Sequence, residues 1–204
     1  MHCSRTINEH MYCPSSVLKT TAQLGTLDIM PYHSIRPRTA DDLNSCAQVL
    51  KRVYEKDGYP VQGVDRAIEF LSGPQTLQAW VAISNSDDKN IIGHIAMSSS
   101  SSSEDISVQL WKQQHDDQVD YIAVLERLFV DPEARGMGVA EALMRAVTAE
   151  GQRRRLRVVL FALEKDQGAM RLYEKVGWRM YGTQQYRYGD GKVMDAVCYV
   201  SPAN

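Results

Sequence analysis

LERLFVDPEARGMGVAEALM, residues Leu125–Met144, joins a predicted strand to a predicted helix and decides the fold of this chain. The strand ends just before Pro132, because proline lacks the backbone donor that a strand ladder needs. The helix is predicted to begin within a few residues of Arg135. Gly136 and Gly138 have no Cβ, so the backbone between the two elements can turn sharply and approach a ligand closely. Free amides at a helix start, the positive end of the helix dipole and a nearby guanidinium together predict a diphosphate-binding loop.

Two other phosphate-binding loops are excluded by their spacing. A dinucleotide fingerprint needs a third glycine where this chain has Glu141, and a P-loop needs a Gly-Lys-Ser/Thr sequence that is absent here. The pattern from Arg135 to Ala140 is instead R-x-x-G-x-A, which resembles motif A (Q/R-x-x-G-x-G/A) of the GNAT superfamily of acyl-CoA-dependent N-acetyltransferases. A second segment, AMRLYEKVGW at Ala169–Trp178, resembles the A-x-x-L-Y-E-K-x-G-F segment of the same family. The two motifs occur in the family's order, and each has a matching strand and helix context.

The overall composition is that of an ordinary globular protein. The chain has 204 residues, 44% of them hydrophobic, which is enough for the core of one domain. A net charge of −2 gives no global reason to expect a nucleic-acid or membrane surface. The four cysteines show no metal-ligand spacing, so no metal is expected, and reduced thiols are predicted. No apolar run approaches the roughly 20 residues that span a bilayer, and a cytoplasmic location is expected.

The predicted organisation is one domain with a tail and an insertion. Residues 1–31 lack clear periodicity and are interpreted as an N-terminal arm, followed by a single domain over residues 32–204. Six serines begin at Ser98 and open a predicted insertion loop over residues 98–120, whose apolar residues are expected to form a short helix or a flap.

Hydrophobic periodicity predicts the remaining elements. In chain order these are a strand, two helices, two strands that form a hairpin, the strand of motif A, its helix, a buried strand, a helix and a final hairpin. The first helix is expected to follow Thr39 as its N-cap and to end near Gly58, and the second is expected over Val64–Leu71. This order is similar to that of the GNAT fold. The resemblance therefore implies a mixed α/β (α+β) architecture with a mostly antiparallel sheet of about six to seven strands and about four flanking helices.

The resemblance implies acetyl-CoA as the co-substrate. Backbone groups of Leu128, Phe129 and Val130 are expected to bond the pantetheine arm as if it were another strand. The diphosphate is expected on the loop and first helical turn, formed by Arg135, Gly136, Met137, Gly138, Val139 and Ala140. Asp166 stands where the family commonly has an asparagine that contacts pantetheine. A carboxylate accepts hydrogen bonds but cannot donate as an amide does, so capping of the next helix is an alternative role for Asp166.

The resemblance and the chemistry of the side chains together suggest the catalytic residues. Tyr173 matches the family's usual general acid, which protonates the departing thiolate; packing in the core is the alternative. Glu126, on the motif A strand, is the candidate base, and an ion pair with Arg127 or another cation is its alternative role. His94, on an earlier strand, is a second candidate base because imidazole titrates near neutrality.

The predicted activity is transfer of an acetyl group to a primary amine in a ternary complex. A small-molecule or amino-acid-like acceptor is expected, and aromatic side chains are candidates for its pocket: Tyr54, Tyr59, Trp80, Trp111 and Tyr181. Protein N-terminal or lysine acetylation, and a non-catalytic acyl-CoA-binding sensor, are the alternatives. The basic run Arg153–Arg155 is interpreted as a solvated helix end, with a contact to the coenzyme 3′-phosphate as a further option. A monomer or homodimer is expected.

Overall fold

A computed structural model of the chain describes residues 32–87, 90–100, 105–115, 121–188 and 191–203. The strands are β1 (His33–Pro37), β2 (Thr76–Ser84), β3 (Ile91–Ser99), β4 (Ile122–Val130), β5 (Arg157–Leu163), β6 (Arg179–Tyr188) and β7 (Lys192–Val200). The helices are α1 (Leu43–Asp57), α2 (Ala67–Leu71), α3 (Ile106–Gln114), α4 (Val139–Arg154) and α5 (Gln167–Lys175). The predicted N-terminal arm lies outside the described residues.

The described strands form a single seven-stranded sheet in the order β1-β2-β3-β4-β5-β7-β6. Every neighbouring pair is antiparallel except β4 and β5, which are parallel. The mixed, mostly antiparallel sheet predicted from the sequence is therefore confirmed. Strand β7 lies between β5 and β6, so the last hairpin folds back into the sheet.

Helices cover both faces of the sheet. On one face, α1 buries an apolar stripe against β2, β3 and β4, with Val49 and Leu50 almost fully buried. On the other face, α4 packs Leu143 and Met144 against β3, β4 and β5. Helix α1 ends at Gly58 in the left-handed conformation (φ 70°), as the sequence indicated. Strand β4 contributes to both cores, which fixes its position at the centre of the domain.

Two predicted boundaries differ from the structure. Helix α2 begins at Ala67 rather than at Val64, because Val64 belongs to a preceding turn in which its carbonyl accepts the Ala67 amide over 3.1 Å. Strand β3 continues through Ser98 and Ser99, so the first two serines of the run are part of the sheet and not of a loop. Ser98 is buried, because the pairing of β3 with β2 and β4 continues to this point.

The predicted insertion contains helix α3. Its N-cap is Asp105, whose carboxylate accepts the Ser107 amide over 2.8 Å. Val108 is fully buried, and the Tyr181 hydroxyl donates to the Ser107 carbonyl over 2.5 Å. The apolar residues of this segment therefore dock as a helix against β5 and β6. Residues 101–104 and 116–120 lie outside the described ranges.

Candidate active site

Strands β4 and β5 separate after a short parallel ladder and leave an opening between them. Residues 122–124 pair with residues 157–159, and beyond this point β5 pairs only with β7 while β4 stays on β3 among the described residues. The part of β4 that follows Val124 therefore presents one edge of backbone groups without a partner strand among the described residues. An extended ligand can bind such an edge by main-chain hydrogen bonds, as an added strand does.

The direction of the backbone groups alternates along this half of β4. The Asp131 amide donates to the Ile92 carbonyl on β3 over 2.9 Å. Groups two residues apart point the same way in a strand, so the backbone of Phe129 also faces β3. Leu128 and Val130 direct their groups toward the opening. The expected pantetheine contacts therefore fit Leu128 and Val130, whereas the geometry contradicts Phe129, whose backbone faces the other edge.

A β-bulge interrupts β4 at Arg127. The register between β3 and β4 shifts between His94 and Ala96, and Arg127 has a φ of 58°. A left-handed conformation costs a non-glycine residue on the order of 1 to 2 kcal/mol, so the surrounding contacts must hold it. The bulge lies immediately before the unpaired edge of Leu128, at the base of the opening.

The loop after β4 has the geometry of an anion site. Gly136 and Gly138 have φ values of 77° and 78°, and a Cβ added to either would meet no atom within 4 Å. Residues 135–138 are exposed, and α4 begins at Val139 with Gly138 as its N-cap. The first amide of α4 with an intrahelical acceptor is that of Ala142, which donates to the Gly138 carbonyl over 3.0 Å. The amides before it lie at the positive end of the helix and are available to a diphosphate.

Arg135 is held by a residue of α1. Its guanidinium forms an ion pair with Asp57, the last residue of that helix. Both side chains remain more than a third exposed, at 43% for Arg135 and 37% for Asp57. Arg135 therefore lies beside the loop, as expected, but its charge is shared with a carboxylate that the sequence motif did not include.

Tyr173 projects from α5 into the protein interior and is 7% exposed. Its ring packs edge-on against Tyr199, with 5.5 Å between centroids. Burial, followed by the negative charge of Asp166, raises the pKa of the Tyr173 phenol, so the hydroxyl stays protonated at ordinary pH. Among the described residues the hydroxyl has no hydrogen-bond partner. A buried, protonated hydroxyl with an unused donor is suited to a ligand's sulfur atom.

Asp166 occupies the N-cap position of α5, but its side chain makes no capping hydrogen bond. The side-chain cap considered as an alternative is therefore wrong. Burial raises the pKa of Asp166, and Lys165 at 3.8 Å opposes that rise. Both Asp166 and Tyr173 act electrostatically on Tyr59, whose pKa is raised mainly by burial. Tyr59 is thus the aromatic candidate that the structure brings to this site.

Glu126 lies in a network at the bulge. Its carboxylate pairs with the Arg127 guanidinium over 2.6 Å and accepts the Ser98 hydroxyl, both on Oε1. Oε2 is left for another donor, and the side chain is 32% exposed. A cavity of about 220 Å³ adjoins it, lined by Gly73, Pro74, Gln75, Ser98, Ser99, Asp105, Val124, Glu126 and Arg127. The ion pair that was the alternative role of Glu126 is present, and both contacts fall on one carboxylate oxygen of a residue that lines a cavity.

His94 cannot serve as an exchanging base in this fold. The residue is completely buried, and burial lowers the pKa of its imidazole to about 3. Both ring nitrogens are engaged: Nδ1 lies 2.9 Å from the Arg127 carbonyl and Nε2 lies 3.0 Å from the Arg38 guanidinium. A neutral, fully engaged imidazole has no route to a substrate proton.

A second cavity, of about 600 Å³, lies at the opposite end of β4. It is lined by Trp111, His115, Tyr121, Ile122, Arg155, Leu156, Arg157, Arg179, Val200 and Ala203. Trp111 therefore lines a cavity that neither the loop residues nor Tyr173 borders. Trp80 is part of the core, Tyr54 is exposed on α1, and Tyr181 is bonded to α3. None of the loop residues 135–138 borders this cavity.

Metal sites and membrane-spanning helices were also sought among the described residues. Within the described ranges, no group of three His, Cys, Asp or Glu side chains is placed to hold a metal ion. The described helices also include none that is both long enough and apolar enough to cross a bilayer.

Comparison with known proteins decides the family. The model of the acetyltransferase (GNAT) family matches residues 43–178, two thirds of the chain, from α1 to the end of the second motif. The chain belongs to the GNAT acetyltransferase family. It is an acyltransferase by that membership, and the fold implied by the motifs is confirmed. No curated protein matches the sequence.

Solved structures of GNAT acetyltransferases share this architecture. NAA60 from Arabidopsis thaliana is 19% identical, with a TM-score of 0.62 over 84% of this chain and 99% of its own. The ribosomal-protein-S18-alanine N-acetyltransferase from Escherichia coli is 18% identical, with a TM-score of 0.58 over 84% and 96%. A protein proposed to be a phosphinothricin N-acetyltransferase is 15% identical, with a TM-score of 0.62 over 84% and 99%. At these identities the likeness concerns the fold.

Three features near this GNAT site were not predicted from the sequence. The strained backbone of Arg127 and its bonds depend on the β3–β4 register, which no local pattern reveals. Asp57 reaches Arg135 from a helix 78 residues earlier. Arg38 contacts His94 across 56 residues. A cation beside Asp57 could have been predicted from the sequence. A carboxylate at the C-terminal end of a helix is unfavourable next to the negative end of the helix dipole, so a cation from elsewhere stabilises it.

Proposed function

We propose that this GNAT protein transfers the acetyl group of acetyl-CoA to the primary amine of a small-molecule or amino-acid-like acceptor, by direct attack in a ternary complex. The observation that carries the proposal is the continuity of the site. The unpaired edge of Leu128 and Val130 leads to the amides around Gly136 and Gly138, and Tyr173 offers a buried hydroxyl that has no hydrogen-bond partner among the described residues. A thioester with a diphosphate tail matches this sequence of donors.

Acetyl-CoA would supply an activated acyl group as its thioester. The loop amides and the start of α4 would hold its diphosphate, with Arg135 beside them. The acetyltransferase NAA60 has been solved with acetyl-CoA on the same fold. The Leu128 amide would donate to the thioester oxygen, on which negative charge develops during attack.

The proton transfers are assigned to two side chains. Glu126 would take a proton from the acceptor's ammonium group through Oε2, directly or through water, and so produce the neutral amine that attacks. As the nitrogen–carbon bond forms and the carbon–sulfur bond breaks, the Tyr173 hydroxyl would donate its proton to the departing thiolate. The nitrogen of the new amide loses the second ammonium proton to solvent, Glu126 releases the proton that it took, and Tyr173 recovers a proton from solvent.

The cavity beside Glu126 is the proposed acceptor pocket. It holds about 220 Å³ and combines the carboxylate of Glu126 with the guanidinium of Arg127, so it offers one partner for an amine and one for a carboxylate. This polarity favours an acceptor that carries both groups. Protein N-terminal acetylation is the second candidate function, because one solved relative in fold, the ribosomal-protein-S18-alanine N-acetyltransferase, is named for a protein acceptor.

The test is release of coenzyme A thiol from acetyl-CoA, with product mass as confirmation. Three acceptor sets are used: free amino acids and small amines, peptides with a free N-terminus, and lysine peptides with a blocked N-terminus. We expect saturable thiol release with the first set. Thiol release only with peptides would indicate a protein acceptor instead of a small-molecule acceptor. Saturable acetyl-CoA binding without release in any set would support a sensor and overturn the proposal. The cytoplasmic location and the monomer or homodimer state stay predictions.

A further inference from the structure

A hydrogen-bonded chain supports the bulge in β4, and it consists of the Arg38 guanidinium, the His94 ring and the Arg127 carbonyl. Arg38 donates to the Leu71 carbonyl over 2.7 Å, and the same Nη1 atom lies 3.0 Å from Nε2 of His94. The other ring nitrogen of His94 lies 2.9 Å from the carbonyl oxygen of Arg127. This carbonyl belongs to the residue with the strained φ of 58°.

These contacts define one protonation state of the ring. A guanidinium can only donate, so Nε2 of His94 must be the acceptor from Arg38. A carbonyl can only accept, so Nδ1 must carry the hydrogen that bonds Arg127. The ring is therefore the neutral Nδ1–H tautomer. Complete burial and a stacking contact with Phe129, at 5.1 Å between centroids, hold it in one orientation.

The bond to Arg127 also fixes the next amide. The carbonyl of Arg127 and the N–H of Leu128 belong to one planar trans peptide, in which the two groups point in opposite directions. Because the carbonyl is held toward His94, the Leu128 N–H points away from it. The alternation along β4 places the same N–H on the edge that faces the opening. Two independent arguments thus give one direction for this donor.

We propose that His94 is a positioning residue for acetyl transfer: through its Nδ1–H bond to the Arg127 carbonyl it holds the Leu128 N–H toward the thioester oxygen. The inference rests on the proposed function for its chemical meaning. His94 touches neither substrate. Its effect is carried by the orientation of one peptide plane, at a bulge that would otherwise relax toward an ordinary extended strand.

The two hydrogen bonds of His94 can be separated by substitution. The amide nitrogen of asparagine falls close to the place of Nδ1, so His94→Asn retains a donor for Arg127. The longer glutamine places its amide near Nε2, so His94→Gln retains a partner for Arg38 and loses the donor to Arg127. We expect kcat to fall by roughly 10- to 100-fold in His94→Gln, as for other misplacements of about 1 Å, and to be largely retained in His94→Asn.

The affinity for coenzyme A serves as the internal control. The His94 side chain contacts Arg38, Arg127 and Phe129 rather than residues 135–138, so the Kd for coenzyme A should stay within about twofold in both variants while kcat separates them. A purely structural role would lower thermal stability in both variants without this kcat ordering. Equal kcat for wild type and His94→Gln, or a lower kcat in His94→Asn than in His94→Gln, would overturn the proposal.

A measurement on the unmodified protein covers the case in which neither variant folds. Nitrogen-15 NMR of the His94 ring distinguishes the two neutral tautomers and the charged form. We expect the Nδ1–H tautomer, unchanged between pH 7 and pH 5, and either the Nε2–H tautomer or a charged ring at pH 7 would overturn the proposal. An inactive wild type with the expected tautomer would instead reject the proposed function, so the two failures are distinguishable.

Discussion

Arg135 and Asp57 form an ion pair that joins the candidate diphosphate loop to the end of α1. The negative charge of Asp57 offsets part of the attraction of Arg135 for an anion. We predict that Asp57→Asn tightens binding of coenzyme A by roughly two- to fivefold, the range for an exposed charge. Titration calorimetry at low and high salt measures the change, and the gain should shrink as salt screens the charge.

Glu69→Gln is the matched control for Asp57→Asn. Glu69 also pairs with an arginine, Arg66, at 3.3 Å, but on the exposed surface of α2. The Glu69→Gln substitution should therefore leave the affinity for coenzyme A unchanged. Weaker binding by Asp57→Asn would mean that Asp57 serves chiefly to hold Arg135 in place.

Gly138 should tolerate no side chain when the coenzyme binds. In Gly138→Asp, a carboxylate enters the open space beside the loop and repels the diphosphate, and the positive φ of 78° adds backbone strain. We expect the Kd for coenzyme A to rise by about tenfold or more. Gly191→Asp is the control, because Gly191 has a similar φ of 83° and the same empty surroundings. A Kd unchanged by Gly138→Asp would refute the assignment of the loop.

Tyr173→Phe removes only the hydroxyl. We expect kcat to fall on the order of a hundredfold, as when a positioned proton donor is lost, while the Kd for acetyl-CoA changes little. Tyr199→Phe is the control, since Tyr199 packs against Tyr173 but donates its hydroxyl to Glu174 over 3.2 Å. Steady-state kinetics and calorimetry on both variants separate the two effects. Equal turnover of wild type and Tyr173→Phe would remove Tyr173 from the mechanism.

The motif residues were predictable because their signals are local. The left-handed turns at Gly136 and Gly138, the start of α4 and the buried face of α5 depend on glycines and on periodicity within about 10 residues of sequence. The burial of Ser98 was not predictable in this way. A serine run is typical of a loop, and only the continued pairing of β3 with both of its neighbours overrides this tendency.

The roles at the bulge were not predictable for a different reason. Whether His94 is a base or a structural residue depends on what lies at each ring nitrogen, and both partners come from distant parts of the chain. The role of the basic run Arg153–Arg155 could not be predicted from the local sequence either. Arg153 and Arg154 pair with Glu150 at 2.7 Å and 2.6 Å, and the 16 residues of α4 place them about 24 Å from Gly138, too far for a 3′-phosphate contact.

Glu126→Gln should slow acetyl transfer in a pH-dependent way. The acceptor is an ammonium ion near neutrality, so a base is needed most at low pH, and the need disappears once solution has deprotonated the amine. We expect the deficit in kcat/KM for the acceptor to be large at pH 6.5 and to shrink as the pH approaches the acceptor's own pKa. Glu55→Gln, an exposed change on α1, should show no deficit. An equal deficit at every pH would indicate that Glu126 only maintains the Arg127 conformation.

His94 should make the fold sensitive to mild acid. Burial lowers the pKa of its imidazole from 6.5 to about 3, so below pH 6.5 the unfolded chain binds a proton that the folded protein does not. This stabilising contribution is complete above pH 6.5 and is lost as the pH falls toward 3. At about 1.4 kcal/mol per pH unit, the loss between pH 6.5 and 4.5 is roughly 2 kcal/mol of the free energy of unfolding.

Urea unfolding of wild type and His94→Asn at these two pH values isolates the contribution of His94. His33, whose pKa burial also lowers, changes stability in the same direction in both proteins and cancels in the comparison. Asp42, whose pKa the Arg36 guanidinium holds below its usual range, titrates at lower pH and stays outside the window. We expect His94→Asn to be less stable at pH 6.5 but to lose less stability on acidification. Parallel losses in both proteins would show that the imidazole titrates in the folded state as it does in solution, which its two hydrogen bonds and complete burial argue against.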